Sequence, residues 1–222
     1  MKNSKFPFFF ISVSLLLASG CKVTSLNIYS EQQKVCDITQ NIEHRYYYKK
    51  TLRKFQENLG SLTDKELLLG IAGFYCSPLD KKITAMASER DILVYTFRDD
   101  NLPKALEIVD DYIKKRPYSL MAHAALIQKE KLENPNINIE EHAYFRILNA
   151  LKSSGDGSRE NPYLMISTYH KVIMINYFYE EWRPIEKGDN ILHDGLLEVP
   201  ISYTEPDGNP ISKSIFFNTK YL

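Results

Sequence analysis

Five histidines and a few crowded carboxylates are the residues of this 222-residue chain whose types could support acid–base or metal chemistry. A histidine acts as a base only when a second group is positioned beside it. His44, His123, His142, His170 and His193 provide no helix-spaced pair of the His-Glu-x-x-His kind, and no serine stands in a Gly-x-Ser-x-Gly elbow. Glu140 and Glu141 precede His142 where a helical pattern opens, so negative charge at a helix N-terminus accounts for them. Asp156-Gly157-Ser158-Arg159-Glu160 has carboxylates but lacks the glycine and terminal glutamate that a calcium loop needs at fixed positions. It reads as a turn, as do Asp189-Asn190 and Asp194-Gly195. No catalytic residue, metal ligand or cofactor-binding residue is therefore assigned, and the chain leans away from being an enzyme.

The three cysteines carry more information. Lys2 and Lys5 precede an apolar run from Phe8 to Ala18, too short to span a bilayer, and Ala18-Ser19-Gly20 leads directly into Cys21. This order resembles a lipoprotein signal, which implies cleavage before Cys21 and acylation of its thiol. Each buried methylene contributes roughly 0.8 kcal/mol, so two or three acyl chains would hold the protein on a membrane. Lys22, where aspartate would signal retention, resembles outer-membrane cargo, and the expected placement is on the outer membrane facing the periplasm, a face that Lys22 itself does not specify. Cys36 and Cys76 remain, and in an oxidising compartment they are either a disulfide pair or two buried thiols. A bond across that separation would contribute about 3–4 kcal/mol on the chain-entropy model. No further cysteine or histidine stands in finger-like spacing, so zinc is not expected.

Hydrophobic residues make up 44% of the chain, enough to bury a proper core. Formal charge is zero, and loss of Lys2 and Lys5 with the signal leaves the remainder slightly acidic. That balance gives no electrostatic footprint for nucleic acid.

The elements that would position these residues divide at Ser154. Upstream, Val35, Ile38, Ile42, Tyr46, Leu52, Phe55 and Leu59 recur at helical intervals, as two helices broken near Tyr46-Tyr47-Tyr48. Thr63 and Glu66 form a capping box that opens a helix over Asp64–Tyr75, ended by Ser77-Pro78. From about Ile83 the chain reads as helix, link, helix, twice over. Ala105, Val109, Tyr112 and Pro117 recur as Ala143, Ile147, Ala150 and Gly155, displaced by 38 residues. This resembles the second helix of a tetratricopeptide repeat, whose period is 34, with the Glu133-Asn134-Pro135-Asn136 link absorbing the difference. In the first helices, Ile92-Leu93 and Leu126-Ile127 match, whereas Glu89 and His123 replace the tryptophan.

Downstream, Gly155 and Gly157 end the helical part, and Tyr163–Thr168 is expected to be a strand. Val172–Ile175, running on into Tyr177-Phe178-Tyr179, reads as a second, buried strand. Leu197, Val199, Ile201 and Tyr203 alternate with Glu198, Pro200 and Ser202, which puts one face in a core. Pro200 cannot donate a ladder hydrogen bond, so this strand should lie at an edge or carry a bulge. Glu205-Pro206-Asp207-Gly208 is a turn into a closing strand with Lys213, Ile215 and Phe217 on one side. The expectation is an α+β fold: helical hairpins followed by a small antiparallel β-meander of three or four strands. Its segments are a signal peptide over 1–20, a tether over 21–30, a helical region over 31–153, and a β region over 154–222 packed on the helices. The aromatics Tyr46, Tyr47, Tyr48, Tyr177, Phe178, Tyr179 and Trp182 either line the helix-to-sheet core or form a binding face, and their spacing favours the core.

The tail, from Ser154-Gly155-Asp156-Gly157 through Tyr163-Leu164-Met165-Ile166-Ser167 to Ile215-Phe216-Phe217-Asn218, resembles a family of uncharacterised bacterial lipoproteins known as a domain of unknown function. The resemblance implies an architecture and no catalytic residues. The functional expectation is a membrane-anchored envelope module that binds a protein or peptide. The alternatives are an envelope hydrolase using Asp156 and Glu160 near the helix-to-sheet junction, or an immunity lipoprotein that neutralises a toxin.

Overall fold

The computed structural model describes residues 32–77, 102–136, 138, 142–167, 169–180, 185–186, 188–204 and 208–220. The signal, Cys21, the tether, Glu89, Ile92-Leu93, Glu140-Glu141, Trp182 and the Glu205-Pro206-Asp207 turn lie outside the described residues.

Helix α3 (Asp64–Tyr75) occupies the centre of the helical layer. It opens on the expected capping box: the Glu66 amide donates to Thr63 Oγ1, and the Thr63 amide donates to Glu66 Oε2 at 3.0 Å. From Leu67 to Phe74 every residue is buried, because α1 (Gln32–Gln40), α2 (Tyr48–Glu57) and α6 (Ala143–Lys152) all pack on it. Two glycines permit that approach. A β-carbon on Gly73 would stand 2.6 Å from Thr39 Cβ of α1, and one on Gly70 would stand 2.4 Å from Thr51 Cγ2 of α2. Gln40 Nε2 donates to the Gly73 carbonyl at 2.7 Å, and Cys36 is disulfide-bonded to Cys76, clamping α1 to the end of α3. The expected break between the first two helices falls over residues 41–47.

Helices α4 (Leu102–Lys115) and α5 (Leu120–Glu133) form a hairpin whose shared face, with Val109, Tyr112, Met121, Ala122 and Ala125, is a small cluster of its own. Ile147 and Ala150 of α6 are buried, as are Val109 and Tyr112 of α4. Two of the pairs related by 38 residues, Val109 with Ile147 and Tyr112 with Ala150, therefore face inward on both helices. Among the described residues no helix is long and apolar enough to cross a membrane.

The sheet corrects three expectations. Its strands are β1 (Tyr163–Leu164), β2 (Ile185–Glu186), β3 (Ile191–His193), β4 (Leu196–Thr204) and β5 (Pro210–Asn218), ordered β1-β5-β4-β2 with β3 also on β4. β3, β4 and β5 are antiparallel as expected, but β1 runs parallel to β5, pairing Tyr163 with Phe217, so the sheet is mixed. The run expected as a buried strand is helix α7 (His170–Phe178). His170, Met174, Ile175 and Phe178 are buried along one helical stripe while Val172 is exposed, and a short apolar run cannot by itself distinguish helix from strand. Third, Pro200 is not on an edge strand. β5 flanks β4 on one side along its whole length, and on the other β3 pairs as far as Glu198 and β2 resumes at Ile201. Pro200 falls in the interruption between them, where a missing donor is tolerated.

One core joins the helices to the sheet, running from Val35, Leu67 and Ile71 through Leu148, Leu151 and Leu164 to Val199, Ile201, Ile215 and Phe217. Tyr48 and Phe178 are buried in it, and Tyr46, Tyr47, Tyr177 and Tyr179 pack against it, so the described aromatics are core lining.

Candidate functional site

The carboxylates at the helix-to-sheet junction do not converge. Asp156 and Glu160 are both exposed. Asp156 Oδ1 accepts the Ser158 amide at 2.8 Å in a turn closed by the Asp156 and Gly157 amides on the Asn161 carbonyl, and hydrogen bonding from the Ser158 side chain and then its amide holds the Asp156 carboxyl below its usual range. Gly157, at φ +77°, passes its carbonyl to the Phe216 amide and so ties the loop to β5. The segment is a built turn with both acids exposed, and the charge of Asp156 acts on the Tyr179 phenol, helping to raise it, rather than on the second carboxyl of a hydrolytic pair.

The structure instead collects titratable groups where α5 meets α6, a juxtaposition the sequence spacing gave no sign of. His123 lies on α5 with its ring centroid 5.8 Å from that of His142, and Phe55 of α2 closes the other side at 6.0 Å. His123 Nε2 is 2.7 Å from the Pro117 carbonyl, which fixes that nitrogen as the protonated donor in the neutral ring, and Nδ1 has no hydrogen-bond partner. His142 is the N-cap of α6: its Nδ1 accepts the Tyr144 amide at 3.2 Å, and its Nε2 lies 3.4 Å from Glu130 Oε2. Nearby, Arg146 donates to the Leu62 carbonyl at 2.7 Å and stands 3.4 Å from Asp64 Oδ1, joining the start of α6 to the start of α3.

The electrostatics of this cluster favour neutral imidazoles. Burial pushes His123 down to about 4, against the smaller opposing effect of the Pro117 carbonyl. Burial also lowers His142, and outweighs the attraction of Glu130, whose Oε2 lies 3.4 Å from Nε2. The consequence for stability has a definite sign. The folded value of His123 lies below the unfolded value of about 6.5, so the unfolded chain takes up its proton first as pH falls. The stability His123 contributes is complete above pH 6.5 and is lost towards pH 4. At about 1.4 kcal/mol per unit, denaturant unfolding at pH 4.5 should show a loss of about 2–3 kcal/mol relative to pH 7 from this residue. His123→Gln should flatten that dependence; an unchanged slope would remove His123 as its source.

The remaining histidines are separate. His44 Nδ1 accepts the Tyr46 amide in the link between α1 and α2, His170 is buried at the start of α7, and His193 is exposed on β3. Among the described residues no group of three or more His, Cys, Asp or Glu is placed to hold a metal ion. Lys213 of β5 lies over the Tyr179 and Tyr203 rings at 4.6 and 5.6 Å, and desolvation lowers its ammonium from the ordinary lysine value.

The fold and its chemistry define an α+β protein in which a disulfide-clamped helical layer shares one core with a small mixed sheet, and in which buried histidines serve packing and capping. The chain belongs to the family described as a domain of unknown function, DUF4919, whose profile matches residues 33–190. The match covers α1 to α7 with β1 and β2 and stops before the β3–β5 hairpins, so it rests on the helical part, and the Ile215-Phe216-Phe217-Asn218 ending on which the resemblance was partly based lies outside it. No curated protein and no solved structure matches the chain.

Proposed function

We propose that the protein is a bacterial envelope lipoprotein, held on the outer membrane through acylated Cys21 and facing the periplasm, that binds a protein or peptide and does not catalyse a reaction. The observation that carries the anchoring is Ala18-Ser19-Gly20-Cys21 at the end of a short apolar run that begins after Lys2 and Lys5. The Cys36–Cys76 bond supports it, because a structural disulfide belongs to an oxidising compartment. The binding role is supported by the 38-residue repeat in which Val109 and Ile147, and Tyr112 and Ala150, are buried on α4 and α6, as stacked helical hairpins bury one face and leave another for partners.

Affinity capture from cross-linked envelope extracts tests the role. The lipidated protein should enrich one or a few defined proteins above a Cys21→Ser control that lacks the anchor. Enrichment no greater than the control would count against a binding module.

A further inference from the structure

The described body begins at one identifiable end. Gln32, the first residue of α1, donates from Nε2 to the Lys220 carbonyl at 2.6 Å. The Thr219 amide donates to the Gly195 carbonyl at 2.7 Å, and a β-carbon on Gly195 would lie 2.7 Å from Lys220 Cγ. Asp194 and Gly195, both at positive φ, make the two-residue turn that joins β3 to β4. Gln32 therefore lies against the same residues that clasp the β3–β4 turn.

β3 leads into that turn, and its exposure is unusual for its composition. All three of its residues are exposed, with Ile191 at 43% and Leu192 at 64%. Successive strand residues point to opposite faces, so a strand with both apolar side chains exposed stands at a rim. Leu192 is three residues from Gly195, within roughly 10 Å along the strand. From Cys21 to Gln32 is eleven residue steps, which reach at most about 40 Å when fully extended. An acylated Cys21 would keep Gln32, and the rim beside it, within about 40 Å of the bilayer it is anchored in.

We propose that Ile191 and Leu192 form a membrane-contacting rim, seated at the acyl-chain boundary of the membrane that holds Cys21, so that the short tether and the β3–β4 hairpin together fix the orientation of the protein. The inference rests on the anchoring proposed above. The occupant follows from where the tether enters: a lipid surface is the one apolar partner that the tether itself brings to this end of the molecule. Ile42, 62% exposed, lies beyond the far end of α1, roughly 12 Å or more from Gln32, and is the natural internal reference.

Hydroxyl-radical footprinting of the native acylated protein on phosphatidylethanolamine–phosphatidylglycerol vesicles tests the proposal, with intact mass reporting acylation of the same sample. Oxidation of Ile191 and Leu192, relative to Ile42, should fall several-fold, and by the same factor at low and high protein density on the vesicle. Acylated protein in which Ile191 and Leu192 oxidise in proportion to their exposure, as Ile42 does, would overturn the rim while leaving the anchor intact. Protection that grows with surface density would also overturn it, in favour of pairing between copies. A mature chain without acyl groups would overturn the anchoring, and this orientation with it.

Discussion

Phe217→Ala should destabilise the protein by about 3–5 kcal/mol, the usual cost of emptying a fully buried phenylalanine site. Phe217 is wholly buried on β5, the strand between β4 and the parallel β1, and it pairs with Tyr163 on one side and Leu197 on the other. Its ring centroid lies 6.1 Å from that of Tyr163, which in turn stacks edge-on against Phe178 of α7 at 4.6 Å. One truncation therefore opens a cavity at the meeting point of sheet and helices. At roughly 2–4 °C per kcal/mol for a chain of this size, the midpoint of thermal unfolding should drop by about 10 °C. Phe216, its neighbour on the opposite face, is only half-buried, and Phe216→Ala should cost clearly less. A larger loss in Phe216→Ala than in Phe217→Ala would mean that the register of β5 is not the one described, since a one-residue slip exchanges the faces.

Removing the Cys36–Cys76 bond is the second large effect, with an expected loss of about 3–4 kcal/mol on the chain-entropy model. The bond closes a separation of 40 residues, within which lie all of α2 and α3. Without it, α1 would be held by Val35 in the core, by Gln40 on the Gly73 carbonyl, and by the close approach at Gly73. Urea unfolding with and without reductant reads the difference, and Cys36→Ser should behave as the reduced wild type does. A midpoint indifferent to reductant would contradict the clamp.

Much of the helical layer was legible in the sequence because its signals are local. The capping box of Thr63 and Glu66 places the start of α3, since both reciprocal bonds are set by residues three apart. The alternation in β4 places Val199, Ile201 and Tyr203 in the core for a similar reason, as a period of two admits one inward face. What could not be read depends on distant partners. Residues 172–178 carry strand-forming side chains and are helical where α6 and the core receive the stripe through His170, Met174 and Phe178. The parallel docking of β1 on β5 joins residues more than fifty positions apart. Pro200 is acceptable in a central strand because β2 and β3 leave a gap opposite it, and neither flank announces that gap. The pairing of His123 with His142 likewise depends on how α5 meets α6, which no spacing encodes.

The measurement that tests the account most directly is mass spectrometry of the mature N-terminal peptide from cell membranes. A diacylglyceryl group on the thiol of an N-terminal Cys21, with or without an acyl chain on its amine, is the predicted result. A peptide beginning elsewhere, or an N-terminal Cys21 that is unmodified, would contradict the anchoring on which the proposed role depends.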